Sequence, residues 1–157
     1  MDGTAARILD EKLYVRYDAK LDKNGNPKPL PEGAIPCQER DPITGHLPCW
    51  IPADRKNHKW HCIALDNYIV SKGHIPLEGT YEIIGPHFQN NPYNLERDIM
   101  EPHGAQIACF SPIDRSFEYV REWLKERNVE GLVFWLDDKP VCKIKRTDFH
   151  FEWNGRK

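Results

Sequence analysis

The sequence predicts an α+β domain built largely of antiparallel strands, and three observations predict it. Two pairs of short strand-like runs are each joined by turn residues, a β-branched run stands between glycine and proline signals, and one stretch alone carries sustained helical spacing. At 157 residues the chain can bury a core of its own, and it is read as one domain spanning 1–157.

The first pair is Ala5 to Leu9 and Leu13 to Tyr17, turning through Asp10-Glu11-Lys12. From 21 to about 64 the chain changes character. Prolines recur at 27, 29, 31, 36, 42, 48 and 52, with Gly25, Gly33 and Gly45 among them, which predicts a long irregular insertion rather than a sheet. Its Trp50, Ile51 and Trp60 predict that it packs on the domain instead of floating as a linker. Thr80 to Ile84 reads as a strand closed by Gly85-Pro86 and the Asn90-Asn91-Pro92 cluster. Pro112 to Asn128 is the predicted helix: Phe117, Val120 and Leu124 fall on one face, Asp114 or Ser116 caps its start, and Asn128 or Gly131 marks its end. The last element is a hairpin, Gly131 to Leu136 and Val141 to Arg146. Pairing Leu136 with Val141 would put Phe134 opposite Lys143 and Leu132 opposite Lys145, with Glu130 on the same side.

The 22 basic and 24 acidic side chains nearly cancel, leaving a net charge of -2, so no global positive field advertises a polyanionic partner. Only local basic runs are available, Arg55-Lys56-Asn57-His58-Lys59 and Lys143-Ile144-Lys145-Arg146. No apolar run approaches the roughly 18 residues of a membrane span, and the first residues lack the basic-then-apolar order of a signal peptide. Five cysteines is an odd number for a disulfide framework, so reduced thiols and a soluble, cytoplasmic setting are expected.

Lys143 and Lys145 stand two apart on a strand and therefore point to one side, a spacing that lets two ammonium groups serve one phosphate. Glu82 sits in the middle of an otherwise apolar strand. Cys37, Cys49, His58, His61 and Cys62 are zinc-ligand types, yet their spacing matches no standard finger and zinc is not expected.

Chain order adds what single motifs lack. Met1-Asp2-Gly3-Thr4 is followed by Arg16, then Tyr81-Glu82-Ile83-Ile84-Gly85, then Glu130-Gly131-Leu132-Val133-Phe134, then Lys143-Ile144-Lys145. This series resembles motifs I, Ia, III, IV and V of the covalent nucleotidyltransferases, the superfamily of RNA ligases, DNA ligases and mRNA capping enzymes. Gly85 to Tyr93, Pro102-His103-Gly104-Ala105 and His46 to Pro52 are similar to stretches of the RNA ligase family that includes the vertebrate cellular 5′-phosphate to 3′-hydroxyl RNA ligase.

The resemblance implies a largely antiparallel nucleotidyltransferase domain, ATP-grasp-like, and ATP-dependent sealing of RNA 5′-phosphate and 3′-hydroxyl ends through lysyl-AMP and RNA-adenylate. It implies that Arg16 and Glu82 hold the nucleotide ribose, that Glu130 binds Mg2+ or Mn2+, and that Lys143 and Lys145 touch the α-phosphate. Asp2 and Gly3 would shape the turn beside the nucleophile, with Gly3 allowing close backbone approach. His103-Gly104 and Asn91-Pro92-Tyr93 read on their own either as lining the RNA or nucleotide path or as a polar turn packed under the sheet. The motif lysine would stand in front of Met1, so the expectation is an N-terminally incomplete domain, with a gene start set too late or an upstream fragment carrying that lysine. Another nucleotidyltransferase, or a non-catalytic nucleotide or RNA-end binding module, is the alternative.

Overall fold

A computed structural model describes residues 2–104, 116–137 and 139–153, with Lys139 in its backbone only. The architecture is α+β with mostly antiparallel strands. Six strands form one sheet: β1 (Thr4–Leu9), β2 (Lys12–Ala19), β3 (Ile35–Pro36), β4 (Leu47–Pro52), β5 (Gly79–Ile84) and β6 (Ile99–Pro102), in the spatial order β3-β4-β2-β1-β5-β6. The helix α1 (Lys59–Lys72) covers one face of that sheet. A second unit combines the helix α2 (Phe117–Lys125), the hairpin of β7 (Gly131–Leu136) and β8 (Lys139–Lys145), and a 3-10 turn at Arg146–Phe149. No helix among the described residues is long and apolar enough to cross a membrane.

The β1–β2 hairpin forms because Ala6 and Ile8, two apart on β1, both turn inward and pair across to Val15 and Leu13. Its turn is two residues, one shorter than expected: Leu9 pairs with Lys12, and both Asp10 and Glu11 take positive φ, the geometry of a tight hairpin turn. Ala6, Ile8, Leu13, Tyr81, Ile83 and Met100 face Cys62 and Ala64 of α1, and this layer is the core of the larger sheet.

The insertion at 21–64 is more regular than its prolines imply. It contains β3, β4 and the start of α1, so the expectation of an irregular segment without sheet is corrected. Pro48 and Pro52 are tolerated in β4 because of where their nitrogens point. The Pro48 carbonyl accepts from the Cys37 N–H, so its nitrogen faces the two-residue β3 rather than the long ladder with β2. Between the strands, Asp22, Asp41 and Asp54 each accept backbone N–H groups a few residues on, from Asn24 and Asn26, from Ile43 and Thr44, and from Lys56 and Asn57. These bonds hold the carboxyls of Asp22 and Asp41 below the usual carboxylate range, and at Asp54 the Asn57 side-chain amide, then the backbone N–H groups, does the same. Trp50 is buried on β4, as expected of a segment that packs on the sheet.

Helix α1 was not expected. Its apolar residues, Trp60, Ile63, Leu65, Tyr68, Ile69 and Val70, run around the whole circumference, so no stripe marks it in the sequence. No glycine or proline interrupts 59–72, and Gly73 stops it in the left-handed conformation with its N–H on the Ile69 carbonyl. His61 on this helix packs edge-on against Phe88, 5.0 Å between centroids. Burial, then the neighbouring His58, pushes its pKa from 6.5 down to about 4. Between pH 6.5 and 4 the unfolded chain therefore binds a proton that the folded chain refuses, and stability falls as pH drops through that window. The ring is partly exposed, which limits the loss to on the order of 1–2 kcal/mol. Thermal melts from pH 7 to 4 should show this decline, and His61→Asn should flatten it; an unchanged pH profile in the variant would refute the assignment.

In the second unit, Val120 and Leu124 of α2 pack on Leu132, Phe134, Ile144 and Phe149. Ser116 caps the helix by accepting the Tyr119 N–H, while 112–115, including the alternative cap Asp114, lie outside the described residues. The helix ends at Lys125, earlier than Asn128 or Gly131, with the Arg127 N–H closing a tighter turn on the Leu124 carbonyl. Arg146 then satisfies the open end of the helix: its guanidinium donates to the carbonyls of Leu124 and Arg127.

The β7–β8 register differs from the expected one. Gly131 pairs with Lys145, Leu132 with Ile144, Val133 with Lys143 and Phe134 with Cys142, and a bulge at Phe134/Trp135 leads to Leu136 opposite Lys139. The expected pairing would have put both lysines on the face with Leu132 and Phe134. The one-residue shift instead aligns Leu132, Phe134 and Ile144 on α2 and turns Lys143 and Lys145 to the opposite face.

Candidate functional site

The site forms where the larger sheet meets the second unit. Its pivot is Gly3, the residue before β1. The Gly3 N–H donates to Glu82 Oε1 at 2.9 Å, and Gln89 Nε2 donates to the Gly3 carbonyl at 2.9 Å. No side chain fits there: a Cβ on Gly3 would lie 2.1 Å from the Ile83 carbonyl oxygen and 2.6 Å from Ile84 Cγ2. Asp2 is held from both ends. Its N–H donates to the Tyr93 hydroxyl at 2.6 Å, and its carboxylate accepts from Trp153 Nε1 at 2.9 Å.

Glu82 lies on the sheet face opposite α1. Ala5 pairs with Glu82, Glu82 pairs with Glu101, and the β1–β2 register continued by one residue puts Arg16 across Ala5 from Glu82. Arg16 and Glu82 therefore share a face, one strand apart, with the small Ala5 as the floor between them. Arg16 is exposed, its guanidinium 6.0 Å from the Trp50 ring centroid. Two carboxylates side by side repel. His103 Nε2 offsets this by donating to Glu82 Oε2 at 2.9 Å.

Glu130, just ahead of β7, meets Lys143 Nζ at 2.7 Å; its side chain is 12% exposed against 40% for the lysine. Glu130 and Lys143, which the expected register placed on one face, are in contact although the observed register turns the lysine to the other face. Asp2, Gln89, Glu130, Lys145, Thr147 and Trp153 line a cavity of about 320 Å³ between the two units. Tyr93, 5.8 Å from the Trp153 ring, has its pKa pushed up to about 12 by burial, with Glu130, Asp2 and Glu82 adding to the rise against the Asp2 hydrogen bond. Tyr93 is therefore a neutral phenol near pH 7.

Among the sequence-derived candidates, Asp2, Glu130 and Lys145 line this cavity, Gly3 and Glu82 adjoin it by hydrogen bonds, and Lys143 reaches it through Glu130. Arg16 stands apart on β2. Thr147 and Trp153 went unnoticed in the sequence, and Gln89 and Tyr93 carried no assigned contact; their roles arise from neighbours 86 to 151 residues away, which no local spacing reports. Cys37, Cys49, Cys62 and Cys142 are free thiols. No group of three or more His, Cys, Asp or Glu placed to hold a metal occurs among the described residues.

In sequence the chain is similar to RNA ligase 1 of Danio rerio, 30% identical over 69% of this chain and 42% of that relative. It is similar also to RNA ligase 1 of Pongo abelii and of Rattus norvegicus, each 28% identical over 80% of this chain and 50% of the relative. The chain thus spans about half the length, or less, of the curated relatives it matches. No family model matches it.

Proposed function

We propose that this chain carries the nucleotide-binding core of an ATP-dependent RNA ligase of nucleotidyltransferase fold, which joins RNA 5′-phosphate and 3′-hydroxyl ends. The observation that carries the reading is the pinning of Gly3 between Glu82 and Gln89 beside a cavity lined by Asp2, Glu130 and Lys145, with Lys143 held on Glu130. The similarity to proteins named RNA ligase 1 supports it.

In this reading the motif lysine stands ahead of Met1, next to the turn that Asp2 and Gly3 form. Its unprotonated amine attacks the α-phosphorus of ATP; the N–P bond forms as the bond to pyrophosphate breaks. An RNA 5′-phosphate oxygen then displaces the lysine to give RNA-adenylate, and a 3′-hydroxyl displaces AMP to seal the strand. Arg16 and Glu82 hold the ribose over Ala5. Each Glu82 oxygen already accepts one hydrogen bond and keeps a lone pair for a hydroxyl. Lys143 and Lys145 neutralise the α-phosphate as point charges. The donor set fits a hard cation such as Mg2+ or Mn2+, which needs only one or two carboxylates, here Glu130 with Asp2 on the same cavity, and fills its other positions with water and substrate phosphate. Such an ion, when bound, supplies charge neutralisation at the phosphates.

The test adds Met-Lys ahead of Met1, so that the lysine occupies the motif position, and incubates the protein with α-labelled ATP and Mg2+. Label that survives denaturation is expected, together with ATP binding but no labelling in the unextended chain. Labelling by GTP alone would indicate a capping-type enzyme. ATP binding without any labelling would indicate a non-catalytic nucleotide-binding module, and either result overturns the ligase reading.

A further inference from the structure

A second cleft opens on the α1 side of the sheet, about 580 Å³ in volume, between the first turn of α1 and the turn that follows β5. Asn57, Lys59, Trp60, His61, His87 and Gln89 are among its lining residues, and none of the lining residues is a carboxylate. The His87 ring stacks on Trp60, 3.3 Å between centroids and 9° from parallel, and Lys59 Nζ lies 4.5 Å from the Trp60 ring centroid. Behind this pair sits Asp98, 3% exposed, which accepts from both the His87 N–H at 3.2 Å and His87 Nδ1 at 2.7 Å. A buried carboxylate is costly to desolvate. Here it fixes the plane of a surface imidazole and leaves Nε2 as the ring nitrogen that can meet a ligand. The adenylation chemistry proposed above uses none of Lys59, Trp60, His87 and Asp98.

The neighbouring charges sharpen the picture. Arg55 is closed off by a bidentate pair with Asp66, 2.9 Å at each contact, and His58 is engaged with Asp54. His61 is neutral near pH 7 and serves as an aromatic wall. Lys59 is therefore the charge that the cleft offers, set among amide donors and stacked rings. That combination fits a phosphate joined to a base, and the volume lies in the range of small-ligand sites, roughly 300–1,000 Å³. Gln89 lines both this cleft and the cavity at Asp2, while its side chain holds the Gly3 carbonyl, and Thr4 lies at the cleft's edge. A ligand occupying both spaces is a chain that passes over Gln89.

We infer that this cleft holds a nucleotide of the single-stranded RNA whose end is processed at Gly3, with a phosphate against Lys59 and His87 Nε2 and a base against the Trp60–His87 wall. The inference deepens the ligase reading and rests on it for the identity of the polymer. The test is fluorescence anisotropy of the full chain with a short, labelled, 5′-phosphorylated oligoribonucleotide, with ATP binding measured in parallel. Lys59→Glu places an acid at an exposed helix start, and His87→Gln keeps a donor for Asp98, so both variants should fold, as melting curves will verify. Each should weaken RNA binding about tenfold and leave ATP binding unchanged. Unchanged RNA affinity in both variants overturns the inference, as does loss of ATP binding with RNA binding retained, which would make the cleft a mononucleotide seat. RNA binding that depends on the cleft in a chain that binds no ATP would uphold the cleft and sink the ligase reading alone.

Discussion

Gly3→Ala should cost the protein both stability and nucleotide binding, and it is the smallest substitution with that reach. The added methyl would stand 2.1 Å from the Ile83 carbonyl oxygen and 2.9 Å from its carbon, which are backbone atoms of the neighbouring strand and cannot rotate away. Relief requires β1 and β5 to separate at the point where the Gly3 N–H meets Glu82. Overpacking of this kind costs about 3 kcal/mol, and a loss of that size lowers the melting temperature of a chain this long by about 6–12 °C. Glu82 would lose its backbone donor and Gln89 its acceptor, so ATP affinity should fall further than the lost stability explains. Circular dichroism melts and ATP titration of the variant measure the two effects separately. A variant that melts and binds like the parent would mean that the close approach of the strands at Gly3 is not real.

The second large effect should be nearly pure chemistry. In the lysine-extended protein, the proposed reading predicts that Glu130→Ala abolishes adenylation, by a factor of about 10²–10³ or more, because it would remove both the carboxylate proposed for the cation and the group that holds Lys143 at the cavity. Stability should change by no more than about 1 kcal/mol, since Lys143 is 40% exposed and recovers its hydration. Lys59→Ala, on the far side of Gln89, should adenylate normally. Label incorporation beside a melting curve separates these cases, and full labelling of the Glu130 variant would overturn its proposed role in holding a cation.

The fold was legible where local pattern and tertiary demand agree. Ala6 and Ile8 alternate toward the core, so the first hairpin could be read directly. The second hairpin could be located but not registered. Its register is decided by Ile144 having to join Leu132 and Phe134 under α2, and by a bulge at Phe134/Trp135 that the sequence does not advertise. Helix α1 was hidden by apolar residues on every side and by the prolines before it. In the candidate site, the polar residues within ordered motifs could be named, whereas Trp153 and Thr147 could not, because their importance lies in touching parts of the chain distant in sequence.

The Trp153 to Asp2 hydrogen bond spans 151 positions, and this has a kinetic meaning. Contacts so remote must wait until the intervening strands have paired, since the entropy of closing a loop is met before the contact returns anything. The cavity is therefore assembled late in folding. Partly folded chains that already hold the β1–β2 hairpin lack it, so any ligand that binds there would select finished molecules over them, raising the population of native protein by mass action.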